Sequence, residues 1–521
     1  MYDVVIIGAG VAGGLIADQL SQRGLKVVIL EAGPNEQDRT ALMENYFTDP
    51  TQFSEIRGYT LHKQAPQPVV SDINAYYDQK GPETFYSPYN RRVGGTTWNW
   101  LGTTPRFIPN DFKIKTLYGY GEDWPISYDD LSPWYDKAEK ELGIHHDFPL
   151  SCPDKWLIAK INDKVFESVP VKFESLPQAR NPSRCCGSAI CIPICPVQAK
   201  YDATIHVNKA VKQGATLIPQ AVVFKLHTHK SGEITQASYF DWNKNVHTVT
   251  GKVFVLAAHA IESPRLLLQS ANDYFPNGLA NKSDQVGRNL MDHPIQLSYA
   301  HVSENIYTFR GPLQTSGFFG FRDGAFRKDI AAYYTALQND AGSWPKGSPN
   351  NDVEHALDKG LMGKALKKSL SESINQLLVL CGMCEQLPNP ENRIKLSRDK
   401  FDYYGLPCPE IHYSYSGHEK RALAHMRSLY DFIFKEVNAT EICHDPVIYS
   451  SSHIIGTLRM GDDPATSVVN KDCQAHEHAN LYIAGSSVFP SSGTANPTLT
   501  LSALALRLAD RIVGAKHLPP S

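Results

Sequence analysis

The chain of 521 residues has little that would tie it to a membrane, a nucleic acid or a disulfide scaffold. It contains no run of 18 apolar residues, which excludes a membrane-spanning helix. Lysine and arginine number 51 against 54 aspartates and glutamates, a formal charge of −3, so no basic face for nucleic acid or anionic lipid is expected. No basic region precedes the first apolar run at Val4, and Gly8 and Gly10 interrupt that run. An export signal is therefore not expected, and a chain made in the cytosol would leave it only with the help of another protein. No repeat of solenoid period is present. Cysteine is scarce, ten in all, and most are scattered singly, unlike a small secreted disulfide framework. What remains is an ordinary globular composition, 42 % hydrophobic and 20 % charged, long enough for two closely packed domains.

Against that scarcity, four cysteines crowd into eleven residues: Cys185, Cys186, Cys191 and Cys195, followed by Pro196. Adjacent cysteines strain a mutual disulfide. Structural zinc prefers C-x2-4-C spacing, which Cys191 and Cys195 satisfy and the Cys185-Cys186 pair does not. An iron–sulfur cluster tolerates irregular spacing, and a proline after the last cysteine is common in ferredoxin-type loops. The residues alone leave iron–sulfur, zinc and plain thiols or disulfides open, in that order.

The N-terminus is more specific. Asp3–Ile7 reads as a buried parallel strand. Gly8-Ala9-Gly10-Val11-Ala12-Gly13 follows, then a helical pattern with Ala12, Leu15, Ile16 and Leu20 on one face, ended by Gly24. Lys26–Leu30 is the next strand, with Glu31 at its end. This is a βαβ dinucleotide fingerprint. Gly8 makes the turn, Gly10 admits the pyrophosphate, Gly13 allows close helix–strand packing, and Glu31 can accept ribose hydroxyls. A second glycine cluster, Gly94-Gly95-Thr96-Thr97-Trp98-Asn99-Trp100, could pass close to a flat ring and bond its edge; an ordinary turn is the alternative.

The C-terminal stretches Ser450–Thr457, Asn480–Pro490 and Gly493–Thr500, the last leading into a helix over 501–511, complete a pattern. Together with the N-terminal fingerprint, Gly94–Thr97, Phe254–Leu267 and Val286–Pro294, this chain resembles the glucose–methanol–choline (GMC) flavoprotein oxidoreductases from end to end. Gly-Gly-Thr-Thr-Trp, Arg106–Lys113 and the Cys185–Cys195 run are similar to one branch, the catalytic subunits of bacterial multi-subunit sugar dehydrogenases. Gly485 stands where many family members carry an acidic residue.

The resemblance implies an α/β fold: a Rossmann-type FAD-binding domain from 1–45, 91–135, 200–299 and 448–521, and an antiparallel-sheet substrate domain from 46–90 and 300–447. It implies a cluster loop at 180–199, with Cys185, Cys186 and Cys191 binding a three-iron cluster and Cys195 spare. FAD would lie against Gly8, Gly10, Gly13, Glu31, Gly94, Gly95, Thr96, Thr97, Asn99, Trp100, Val222, Gly485, Ser486, Asn496, Pro497 and Thr498. Alcohol oxidation needs a base for the hydroxyl proton, and an imidazole titrates near neutrality. The resemblance gives that role to His453, with Asn496 orienting the substrate oxygen and Pro497 restricting Asn496. A carbohydrate substrate, a small export-signal subunit, a multihaem cytochrome c subunit and a periplasmic location follow from the same branch, with the cytoplasm as the alternative. A GMC oxidase and a hydroxynitrile-lyase-like protein remain rival activities.

Other residues are read as structural. His259, His293, His476 and His478 carry no motif of their own. Cys381-Gly382-Met383-Cys384 is C-x-x-C without a haem-attachment histidine or a thioredoxin-like βαβ around it. Trp98, Trp100 and Trp124 are placed near the flavin, where stacking on a sugar competes with ordinary core packing.

Overall fold

The computed structural model describes residues 1–48, 59–188, 190–308, 311–339 and 350–514. The expected segments 46–90, 180–199, 300–447 and 448–521 each include positions outside that range.

The first thirty residues fold as their pattern requires. Strand Tyr2–Ile7 leads through Gly8 into helix Val11–Gln22 and back to strand Val27–Leu30, which pairs parallel with the first, Val4 opposite Val27. All four residues of Val27–Leu30 are buried, the expected state of a strand covered on both faces. They belong to a seven-stranded sheet in the order Val222–Thr228, Ile234–Phe240, Val246–Leu256, Tyr2–Ile7, Val27–Leu30 and Thr216–Ile218, with Leu481–Ile483 also paired to Val246–Leu256. That strand changes partners along its length. Its first half runs antiparallel to Ile234–Phe240, and its second half parallel to Tyr2–Ile7 and Leu481–Ile483. Helices Val11–Gln22, Thr204–Lys212, Thr498–Val513 and Tyr128–Leu142 pack together beside this sheet.

A second seven-stranded sheet is antiparallel: Thr440–His444, Pro294–His301, Leu377–Cys384, Tyr333–Gln338, Ser316–Phe318 and Phe173–Ser175, with Tyr449–Ser450 also on Pro294–His301. Strand Pro294–His301 starts inside the segment 200–299 expected with the first sheet, and Phe173–Ser175 lies in a stretch that the expected division leaves unassigned. Side chains alternate across the sheet, as the pleat demands. Tyr333, Leu337, Leu380 and Cys384 pack against Met426, Tyr430 and Ile433 of helix Gly417–Glu436. Tyr334, Ala336, Cys381 and Met383 cluster with Ile295 and Leu297 on the other face. Cys381 and Cys384, three apart on one strand, therefore point to opposite faces, which rules out a C-x-x-C dithiol.

The two layers are tied by a buried charge network. Arg327 reaches Glu385 at 2.8 Å and Asp111 at 3.2 Å, and the Asp111 carboxylate also accepts from Thr494 Oγ1 at 2.8 Å. Among the described residues no helix is long and apolar enough to cross a membrane.

Candidate active site

An elongated cavity, with room for the centres of water molecules over about 360 Å³, runs between the layers. One end lies at Ile7 and Leu30, where the parallel strands stop; the other reaches Ile295, Tyr334, Cys381 and Met383 on the second sheet. The carboxyl ends of parallel strands are where open α/β sheets take ligands.

The first end is a cradle for a dinucleotide. Gly8 and Gly10 line it, and a Cβ on Gly10 would meet nothing within 4 Å, so that position is open to a ligand. The helix that starts there has no side-chain cap, which leaves its first N–H groups for a bound anion. Gly13 lies behind the wall: a Cβ there would sit 2.0 Å from Gly8 O, so only glycine lets the helix approach the turn. Gly94 also lies behind the wall, its N–H donating to Ala9 O at 2.9 Å and joining the two glycine loops. Glu31 lines the cavity and accepts Ala9 N–H and Gly33 N–H, each at 2.9 Å; burial nevertheless pushes its carboxyl above the ordinary range. Val222 forms part of the same end.

Gly95, Thr96, Thr97, Asn99 and Trp100 line the middle, held by their own bonds: Thr97 Oγ1 accepts from Ala203 N–H at 2.9 Å, and Trp100 Nε1 donates to Tyr201 O at 2.7 Å. Gly485, Ser486, Pro497 and Thr498 form the C-terminal wall.

His453 and Asn496 meet at the second end, both on the cavity wall. Asn496 Nδ2 is 3.3 Å from His453 Nε2, and Asn496 Oδ1 accepts from Tyr334 OH at 2.6 Å. Burial, with His293 alongside, holds the His453 imidazole well below its usual basicity, so it stands neutral and able to take a proton. Behind it lies His293, fully buried, its Nδ1 3.0 Å from His453 Nδ1. The Asp292 carboxylate accepts the backbone N–H of both His293 (2.7 Å) and His453 (3.0 Å), and its second oxygen takes the hydroxyls of Ser87 and Ser450.

Several residues sit where their type does not announce them. His293, expected to be structural, is the neighbour of His453, and Tyr334 orients Asn496. The motif Val286–Pro294 marks the family without giving His293 a role, and nothing marks Tyr334. His259, also expected to be structural, lines the cavity with a left-handed backbone (φ 71°) and its ring 4.4 Å from Tyr89; burial lowers its pKa to about 4. Of the three tryptophans placed near the flavin, only Trp100 lines the cavity. Trp98 is buried against Tyr59, Arg39 and Arg92. Trp124 is buried among Phe107, Phe112 and Phe489, with Nε1 on Ser491 Oγ. Both are core residues, because their edges are consumed by packing.

Cys185, Cys186, Cys191 and Cys195 line one small pocket beside this middle section. All ten cysteines are free of disulfides. Among the described residues no three cysteine sulfurs fall within 4.8 Å of one another, whereas tetrahedral zinc at ~2.3 Å from each thiolate would bring them closer than that. A single-ion thiolate site is thus not preformed. Two buried basic side chains stand by the pocket: Arg180 lines it, and Lys200 lies behind it, burial lowering its pKa to about 7. Arg180 Nη1 donates to Cys191 Sγ at 3.1 Å, and Lys200 Nζ donates to the carbonyls of Cys191 (2.7 Å), Trp98 (2.7 Å) and Trp100 (2.5 Å). Neither side chain forms an ion pair among the described residues. Burial works against the Cys191 thiolate, yet Arg180 and Lys200 hold its thiol below the ordinary range. Cys185 moves the other way, burial raising its thiol despite Arg180, so the field favours negative charge at Cys191 alone, while four sulfurs on one pocket are the donor type an iron–sulfur cluster takes.

Models of the family described as GMC oxidoreductase match residues 3–295 and 388–505. The fructose dehydrogenase large subunit of Gluconobacter japonicus is 38 % identical over 98 % of this chain and 97 % of its own. The 2-methyl-1,2-propanediol dehydrogenase of Mycolicibacterium austroafricanum is 30 % identical over 98 % and 95 %. Among solved structures, a formate oxidase variant of Aspergillus oryzae superposes with a TM-score of 0.70 at 14 % identity, covering 99 % of this chain and 98 % of that one.

Proposed function

Because the chain belongs to the GMC oxidoreductase family, a family of FAD enzymes, we propose that it is a sugar dehydrogenase that oxidises a CH–OH group of a carbohydrate with His453 as the base. The observation that carries this is the pairing of His453 Nε2 and Asn496 Nδ2, 3.3 Å apart, at one end of a cavity whose other end is a dinucleotide cradle. When bound, FAD supplies the acceptor for the hydride that leaves the substrate carbon.

The chain's own residues do the rest. Gly8, Gly10, Glu31 and Val222 would hold the adenosine and pyrophosphate end. Gly95–Trp100, Gly485–Ser486 and Pro497–Thr498 would hold the flavin end. His453 Nε2 takes the hydroxyl proton, and the Asn496 N–H donates to the same oxygen, so the C–H bond is held in one direction. Ile295 and Met383 give that end apolar walls. Cys185, Cys186 and Cys191 would ligate a three-iron cluster, with Cys195 left over. Such a cluster supplies a one-electron exit toward a c-type cytochrome. A relative that is a subunit by name, the fructose dehydrogenase large subunit, supports a hetero-oligomer. We place that complex in the periplasm, exported with a small subunit and joined to a multihaem cytochrome c.

Anaerobic mixing with a panel of aldoses, ketoses, sugar acids and glycosides tests the reading. A carbohydrate should bleach the flavin, and His453→Ala should slow that bleaching by about 10²–10⁴-fold. If no carbohydrate bleaches it, the sugar assignment is lost. Stoichiometric peroxide in air, rather than dye reduction, would make the protein an oxidase instead. Oxidised protein should show a three-iron paramagnetic signal, which Cys186→Ser removes while FAD stays bound.

A further inference from the structure

We infer that His293 is a positioning residue that fixes the tautomer of His453, so that the lone pair of His453 always faces the substrate. This rests on His453 being the base. The argument starts at a group with no choice. His293 Nε2 lies 3.1 Å from Gly493 O, and a carbonyl only accepts; the Nε2 must therefore carry a proton and donate it. Neutral His293 then has a lone pair on Nδ1. That atom is 3.0 Å from His453 Nδ1, so His453 Nδ1 must be the protonated nitrogen and the donor. The remaining nitrogen, His453 Nε2, is left unprotonated on the cavity wall. Asn496 agrees from the other side: Tyr334 OH occupies its carbonyl oxygen at 2.6 Å, which turns its N–H toward His453 Nε2.

The geometry is held as well as polarised. Asp292 accepts the backbone N–H of both histidines on one carboxylate oxygen, although they lie 160 residues apart. The two rings meet edge to face, with centroids 5.1 Å apart. His293 is fully buried and does not line the cavity, so it acts through His453 and does not touch substrate. The charged groups that bear on it are Asp292, Glu385 and Asp111. In a free imidazole the Nε2–H form would be populated too, and every molecule in that form would present a donor where an acceptor is needed.

The test compares His293→Phe, which keeps a ring and removes both polar atoms, with His293→Asn, whose amide retains one acceptor and one donor. The Phe variant should slow anaerobic flavin reduction on the order of 10²-fold, with substrate affinity and FAD content little changed. The Asn variant should recover most of that rate. Equal impairment in both, or wild-type rates in both, overturns the inference. If the Phe variant does not hold FAD, His293→Asp decides. A carboxylate acceptor should leave turnover in place and move the acid limb of the rate–pH profile upward, because it stabilises the imidazolium of His453; an unmoved limb overturns the inference. His453→Ala, run alongside, separates the two claims. Wild-type flavin reduction in that variant removes the base itself, whereas an inactive His453→Ala beside a fully active His293→Phe removes only the positioning role.

Discussion

At the scale of single residues, the site depends on atoms that are missing as much as on those present. Gly13 leaves no room for a methyl group beside Gly8 O, so Gly13→Ala should give a chain that loses flavin, read as the ratio of visible flavin absorbance to protein. The Tyr334 hydroxyl decides which end of the Asn496 amide faces His453. Tyr334→Phe should therefore slow flavin reduction by about 10-fold, the worth of one hydrogen bond of about 1.4 kcal/mol, with FAD content unchanged. Both residues differ in how visible they were. Gly13 is legible because its constraint is local, a glycine three residues after another in a turn between strand and helix. Tyr334 and His293 are not, because each acquires its meaning from a partner more than 150 residues away. Trp98 and Trp124 show the converse. A tryptophan beside a flavin loop in sequence can still spend its ring on the core behind that loop.

At the scale of elements, Arg327 makes a buried ionic tie between the two layers. Arg327, Asp111 and Glu385 are all buried. Arg327→Met would leave two carboxylates facing each other without their cation, a loss of about 3–5 kcal/mol. Thermal unfolding should show it as a marked drop in midpoint, with flavin released at or before unfolding. The βαβ unit could be read from its periodicity, since a crossover closes its contacts over a short span, and the C-terminal helix from the stretch Gly493–Thr500 that leads into it. The antiparallel sheet could not. Leu377–Cys384 is buried on both faces and shows no alternation, and Ser316–Phe318 has only three residues. Its strands pair across long insertions, so register is decided by tertiary packing. The chain enters the second sheet with Pro294–His301, directly after the Asp292-His293 pair, which is why the expected boundary at 299 and the observed strand start at 294 differ.

At the scale of the whole molecule, the buried imidazoles make stability depend on pH. His453, His293 and His259 all stand below the ordinary value of 6.5 in the folded chain, each chiefly through burial. As pH falls through that value the unfolded chain takes up protons that the folded chain refuses, so stability falls with pH and is fully present above it. Chemical denaturation at about pH 7.5 and about pH 5.5 should give a lower midpoint at the acid value, and removing one of these rings should shrink the difference. One further contact spans the molecule's parts. The Lys200 side chain donates at once to the carbonyls of Trp98 and Trp100 in the flavin-facing turn and of Cys191 in the cysteine loop. Under the proposed function electrons would leave the flavin by way of the cysteine loop, and Lys200, together with Arg180 between Leu101 O and Cys191 Sγ, would set the gap they cross. Lys200→Met would then leave Arg180 as the remaining tie, and single-turnover transfer from reduced flavin to the cluster should turn from one rate into a spread of many.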